Sequence, residues 1–191
     1  MKGILRKFTI LFVAVAVTVG ALAMPMSTVE AATSKATVKK QATKVVDKQT
    51  KKSDSKKQKL EKLFEYCEKT YGYKRVYGFA NKKGWERDFA VEIYKGKKGS
   101  CYHFAAAYAF LAKKATGYSV RIGVGKTNGF SGELQDHAWV EVKIGKTWYV
   151  CDPNMDKFAA ESSGKYYLKK RNSLKKVYNN YKKVKYVNVT F

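Results

Sequence analysis

Acidic side chains are scarce in this chain: 15 Asp and Glu stand against 39 Lys and Arg, a formal charge of +24 at pH 7. The stretch from Ser162 to Phe191 contains none. So lopsided a charge favours association with anionic polymers or surfaces and says little about fold. Cysteines are few and odd in number, and three of them cannot all pair within one molecule. Cys101 is the candidate for the unpaired thiol, while pairing of Cys67 with Cys151 stays open. No internal repeat is visible, which removes solenoid architectures. From Thr33 to Lys59 there is no Pro, Gly or aromatic residue, only ten lysines and two aspartates among small polar and apolar side chains. Such a stretch buries too little apolar surface to offset the entropy of ordering. Its alternating Lys, Thr, Ser and Gln give no sustained apolar stripe, so residues 32–59 are expected to be a disordered Lys-rich linker.

The N terminus reads as an export signal. Lys2, Arg6 and Lys7 precede an apolar run from Phe8 to Met24, and Val29-Glu30-Ala31 supplies a small-residue cleavage pattern. Residues 1–31 are therefore expected to be a signal peptide, with secretion and association with an anionic cell wall as consequences. Their removal takes away three basic residues and one acid and lowers the formal charge from +24 to +22. No cysteine lies near the site, so a lipid-modified terminus is not expected.

The globular part is expected to run from Leu60 to Phe191, the size of one ordinary domain. Leu60, Leu63, Phe64 and Cys67 recur at helical spacing and predict a helix that ends before Tyr71-Gly72. A loop-rich stretch holding Trp85, Phe89, Val91 and Ile93 is expected next. The Ala-rich run from Cys101 to Thr116 predicts a second helix, stopped by Gly117. Strands are expected over Ser119–Gly125, Asp136–Ile144, Thr147–Asp152 and Tyr186–Phe191.

The chemistry lies in the middle of the chain. Cys101 opens the Ala-rich helix, where the positive end of the helix dipole favours a thiolate and unsatisfied backbone N–H groups can hold an oxyanion. Cys101, Phe104, Ala105, Tyr108, Leu111, Ala112 and Ala115 share one face, so the cysteine points toward the protein body. A two-residue turn at Gly145-Lys146 sets Ile144 opposite Thr147 and Val142 opposite Tyr149. By alternation, Ala138, Val140, Val142, Ile144, Tyr149 and Cys151 line one face, and His137, Trp139, Trp148, Val150 and Asp152 the other. His137 is then the diagonal neighbour of Asp152, within hydrogen-bond reach. A carboxylate beside an imidazole fixes its tautomer and leaves the second ring nitrogen to act on a thiol.

Gly99-Ser100-Cys101-Tyr102-His103-Phe104-Ala105, His137-Ala138-Trp139-Val140-Glu141-Val142 and Trp148-Tyr149-Val150-Cys151-Asp152-Pro153 resemble the three blocks of the transglutaminase-like superfamily, in the same order. The resemblance covers roughly Tyr66 to Pro153, and three blocks in context are far more specific than one. It implies an α+β, papain-like core in which N-terminal helices accompany a nucleophile helix packed on an antiparallel sheet. It implies Cys101 as nucleophile, His137 as general base and acid, and Asp152 as the residue that orients the imidazole. It further implies a cysteine acyltransferase or peptidase that forms a thioester with a carboxamide or peptide carbonyl of an extracellular protein or peptide. The acyl group then passes to an amine or to water. No cofactor is expected, and no acidic cluster suggests the calcium sites of the larger animal enzymes. The family's second oxyanion donor is a side chain upstream of the cysteine, for which Tyr77 and Trp85 are candidates.

Two other readings compete. Cys101, His103, His137, Cys151 and Asp152 include zinc-type ligands. However, His103 lies about 200° round the helix from Cys101 and Cys151 points away from His137, so no metal site is expected. The second is a cationic binding module for cell-wall polymer, with Lys169, Lys170, Arg171, Lys175, Lys176, Lys182, Lys183 and Lys185 interleaved with tyrosines. No nucleic-acid motif accompanies them, so no specific nucleic-acid partner is expected.

Overall fold

The computed structural model describes residues 32–159 and 164–191. The expected signal peptide lies outside them. The described residues form one compact unit. Its first element, α1 (Lys35–Gln49), corrects the expectation of a disordered linker. Val38, Ala42 and Val46 repeat every fourth residue and are buried, a stripe narrow enough to be lost among the lysines yet wide enough to dock on other helices. Ser34 caps this helix by accepting the Thr37 N–H at 3.1 Å. The ordered domain therefore begins well before Leu60.

The second helix, α2 (Lys56–Thr70), opens on a capping box in which the Gln58 N–H reaches Ser55 Oγ at 3.2 Å and the Ser55 N–H reaches Gln58 Oε1 at 2.9 Å. It buries Leu60, Leu63, Phe64 and Cys67, the set expected from their spacing. A short strand, β1 (Gly72–Tyr73), follows. The stretch expected to be loop-rich is instead a helix, α3 (Trp85–Gly96). Gly84 at φ 90° starts it without any side-chain cap, so the usual start signal is missing, but Trp85, Ala90, Val91, Ile93 and Tyr94 form a buried face. A second short strand, β2 (Lys98–Gly99), pairs in parallel with β1, and α4 (Cys101–Thr116) begins directly after it.

Helix α4 ends at Gly117, φ 72°, as its sequence requires. More than one face of it is buried: Tyr102, Ala106, Ala107 and Phe110 are covered along with the expected residues. The reason is position, since α1, α2 and α3 cover one side and the sheet the other. Each fully buried Phe or Leu on such a helix contributes about 1.5–3 kcal/mol of transfer free energy.

The sheet has five antiparallel strands: β3 (Ser119–Thr127), β4 (Gln135–Ile144), β5 (Thr147–Cys151), β6 (Lys169–Lys170) and β7 (Lys185–Asn188). A short helix, α5 (Pro153–Phe158), separates β5 from β6. The spatial order is β6-β5-β4-β3-β7, so the end of the chain crosses the sheet to pair with β3. The fold is α+β, with the cysteine-bearing helix packed across an antiparallel sheet. Ala138, Val140, Val142 and Cys151 join the core under α4, and Trp139 and Val150 join a second cluster on the opposite face with Met155, Tyr166 and Tyr178. Cys67, Cys101 and Cys151 are all free thiols.

Candidate active site

Cys101 is the first residue of α4 and is 7% exposed. The Ser100 carbonyl takes the N–H groups of His103 and Phe104, at 2.9 and 3.1 Å, which leaves the main-chain N–H groups of Cys101 and Tyr102 at the helix start. The approach to this turn is tight. A Cβ on Gly99 would lie 2.4 Å from His103 Cβ, so only glycine fits. His103 turns toward the loop that it fastens. Its Nδ1 accepts the Ser100 N–H at 3.2 Å, its Nε2 donates to Glu92 Oε2 at 3.0 Å, and its ring stacks on Phe89. Burial lowers its pKa and the Glu92 contact opposes that. His103 is a clasp between α3 and the start of α4.

His137 and Asp152 meet through the hairpin. The register is Ile144↔Thr147, Val142↔Tyr149 and Val140↔Cys151 across a turn whose Gly145 takes φ 60°. His137 Nε2 donates to Asp152 Oδ2 at 2.7 Å, with both side chains 1% exposed. Its Nδ1 is the ring nitrogen that Asp152 leaves free, and Cys101, on the wall of the same cleft, adds its charge to the forces that favour the protonated ring. Burial disfavours the charged ring, but the Asp152 charge and hydrogen bond, reinforced by Cys101, outweigh it and raise the His137 pKa to about 10. An imidazolium at neutral pH next to the sulfur is the electrostatic partner of a thiolate.

Cys101 and His137 open on a cleft of about 270 Å³ that Tyr73, Phe130, Asn154 and Phe158 also line. The structure thus brings together Cys101, His137 and Asp152 and keeps His103 and Cys151 apart from them. Tyr77 and Trp85 do not reach the cleft. Tyr77 is 83% exposed, and Trp85 packs in the core against Phe79, Phe89 and Tyr102. Tyr73 is the upstream side chain at the cleft, brought there by the pairing of β1 with β2, in which Tyr73 stands beside Gly99. Burial and the Cys101 charge raise the pKa of its phenol, which stays a donor.

Like Tyr73, two further residues at the site escape the sequence reading. Tyr178, from the basic C-terminal stretch, is fully buried and donates to Asp152 Oδ2 at 2.8 Å. With Met155 N–H on Oδ1 at 2.9 Å, it fixes the plane of the carboxylate that holds His137. No sequence signal marks it, because it is one tyrosine among several in a lysine-rich run. Asn154 follows Asp152 and Pro153, lines the cleft, and keeps its Nδ2 buried without a hydrogen-bond partner.

A family model of the transglutaminase-like superfamily matches residues 43–153, more than half of the chain. No curated protein matches the sequence. Among solved structures, a candidate cysteine protease from Cytophaga hutchinsonii is similar at 12% identity and a TM-score of 0.48, over 80% of this chain and 52% of that one. A structure described as a TGase is similar at 18% identity and a TM-score of 0.48, over 67% of this chain and 35% of that one. The chain therefore spans about half the length of the first and about a third of the second.

Proposed function

The chain belongs to the transglutaminase-like superfamily, and on that premise we propose that it is an exported thiol enzyme acting on carboxamide or peptide carbonyls of extracellular protein. The observation that carries the reading is the hydrogen bond of His137 Nε2 to Asp152 in a cleft whose wall His137 shares with Cys101 at the start of a helix. Cys101 Sγ attacks the carbonyl carbon, forming a C–S bond and an oxyanion. The Cys101 N–H at the start of α4 and the Tyr73 hydroxyl donate to that oxygen. As the C–N bond breaks, the Nδ1 proton of His137 passes to the departing amine or ammonia. A thioester remains. An amine or a water then attacks it, His137 takes the proton of that nucleophile, and the C–S bond breaks to release the Cys101 thiolate beside the imidazolium.

The reading as an exported protein rests on residues 1–31, with their basic start, apolar run and small-residue site. Labelling with an iodoacetamide probe, alongside amine incorporation into casein and peptide cleavage, tests the chemistry. The wild-type chain is expected to label and turn over, and Cys101→Ala to do neither. A wild-type chain no more reactive than Cys101→Ala would sink the reading. The same assays separate transfer from hydrolysis, since the product carries either the amine or a new carboxylate.

A further inference from the structure

Beside the Cys101 cleft lies a larger one, of about 520 Å³, whose walls include Lys126, Lys182, Lys183 and Lys185. Asp136 lines both cavities, and Tyr102, next to the nucleophile, forms part of the second wall with Phe79 stacked on it at 3.9 Å. Three of these lysines come from the C-terminal stretch that has no acid of its own. Asp136, the acid in the cleft, is already paired with Lys126 at 2.9 Å. Among the described residues, Lys182, Lys183 and Lys185 have no ion-pair partner. All three are exposed.

The backbone adds a second feature. Val120 turns its carbonyl toward β7, accepting the Val189 N–H at 2.9 Å, and the β3–β7 ladder ends at Val124↔Lys185. By strand alternation, the next pair to exchange hydrogen bonds would be Lys126 with Lys183. Lys183, at φ 55°, is left-handed and turns the chain away, as do Asn179, Asn180 and Tyr181 just before it at φ 47°, 50° and 56°. Non-glycine residues in that region are held at a cost, and such runs cluster where a site is shaped. Past the end of β7 this segment is fastened to β3 a second time, where the Val177 carbonyl accepts the Asn128 N–H at 3.1 Å and the Thr127 hydroxyl at 2.9 Å, so the left-handed run lies between two attachments to the strand.

On the basis of the thiol-enzyme reading, on which this inference rests, we propose that the substrate is an acidic segment of protein. Its Asp or Glu side chains face Lys182, Lys183 and Lys185, and its reactive carboxamide passes over Asp136 to Cys101. The aromatic wall of Phe79 and Tyr102 and the continuity with the Cys101 cleft through Asp136 favour a peptide over a glycerol-phosphate polymer, which has no apolar side chains to set against the rings. The basic C-terminal run and the thiol site then serve one substrate.

Docking is read without turnover, using the full chain carrying Cys101→Ala and short fluorescein-labelled peptides with a central Gln flanked by Glu or by Ser. Anisotropy is expected to show the Glu-flanked peptide binding about tenfold more tightly, the sum of a few exposed charge pairs. Adding Lys182→Gln, Lys183→Gln and Lys185→Gln should abolish the difference, whereas Lys35→Gln, Lys39→Gln and Lys40→Gln on α1 should preserve it. About 0.5 M salt should abolish it in the parent, a check that needs no lysine substitution. Equal loss from both lysine triplets would reduce the effect to diffuse charge and overturn the subsite. So would a glycerol-phosphate polymer that binds while neither peptide does. Since Cys101→Ala cannot turn over, a failure here leaves the iodoacetamide result untouched, and the reverse also holds.

Discussion

At His137, burial and charge act in opposite directions. A fully buried imidazole would lose its proton readily, yet Asp152 at 2.7 Å and the adjoining Cys101 hold its pKa at about 10. The raised value means the imidazolium persists through neutral pH and is lost as pH rises through about 10, taking with it the proton needed by the departing amine. Turnover is therefore expected to fall on an alkaline limb near 10. Asp152→Asn removes the charge but not the bulk, so the lowering effect of burial prevails. The limb should move at least a unit toward neutral and kcat at pH 8 should drop on the order of 100-fold. A pH–rate profile checks both, and an unmoved limb would detach His137 from Asp152. Tyr73 is tested separately: Tyr73→Phe should lower kcat about 10–100-fold while the rate of Cys101 alkylation is kept, because only the oxyanion loses a donor.

Among the elements, the hairpin was fully legible and α3 was not. A two-residue turn leaves β4 and β5 a single register, so the meeting of His137 with Asp152 followed from counting alone. Helix α4 was legible from Cys101 to Gly117 because its end carries the residue that its conformation demands. Helix α3 lacks a capping side chain, and α1, although Ser34 caps it, carries its stripe on only Val38, Ala42 and Val46, so packing decides α3 and the docking of α1. Tyr178 could not be foreseen, since it lies in the segment that crosses from β6 to β7 and meets Asp152 on the way. The join between β2 and α4 is where an element boundary controls the site. Gly99→Ala would place a methyl 2.4 Å from His103 Cβ, which belongs to the packed helix start and cannot swing aside. The expected cost is about 1–3 kcal/mol, visible as a lower urea midpoint. Alkylation of Cys101 should slow as well, because the turn that presents the sulfur must shift.

Across the whole molecule, an excess of positive charge makes two adjoining carboxyls, one buried and one half-buried, unusual. Glu68 at the end of α2 lies beside Asp156 of α5, and Asp156 also takes the N–H groups of Gly164 and Tyr166, at 2.8 and 2.7 Å. Burial and the hydrogen bond and charge of Asp156 raise the Glu68 pKa to about 7, against a weaker lowering by Lys157. A carboxyl that holds its proton more tightly when folded than when unfolded stabilises the fold most below its unfolded pKa, close to 4.5. That contribution is lost as pH rises through about 7. The contact it governs joins α2 to α5, the helix that carries Asp152 at its N-cap, so loosening it reaches the His137 partner through the backbone. Glu68→Gln keeps a neutral hydrogen-bonding group there at every pH. Differential scanning calorimetry should find the variant melting higher than the wild type at pH 8 and level with it at pH 5. If Glu68→Gln instead melts lower at pH 8, the Glu68 carboxylate is a stabilising partner of Lys157, and the proton shared with Asp156 is not what links these two helices.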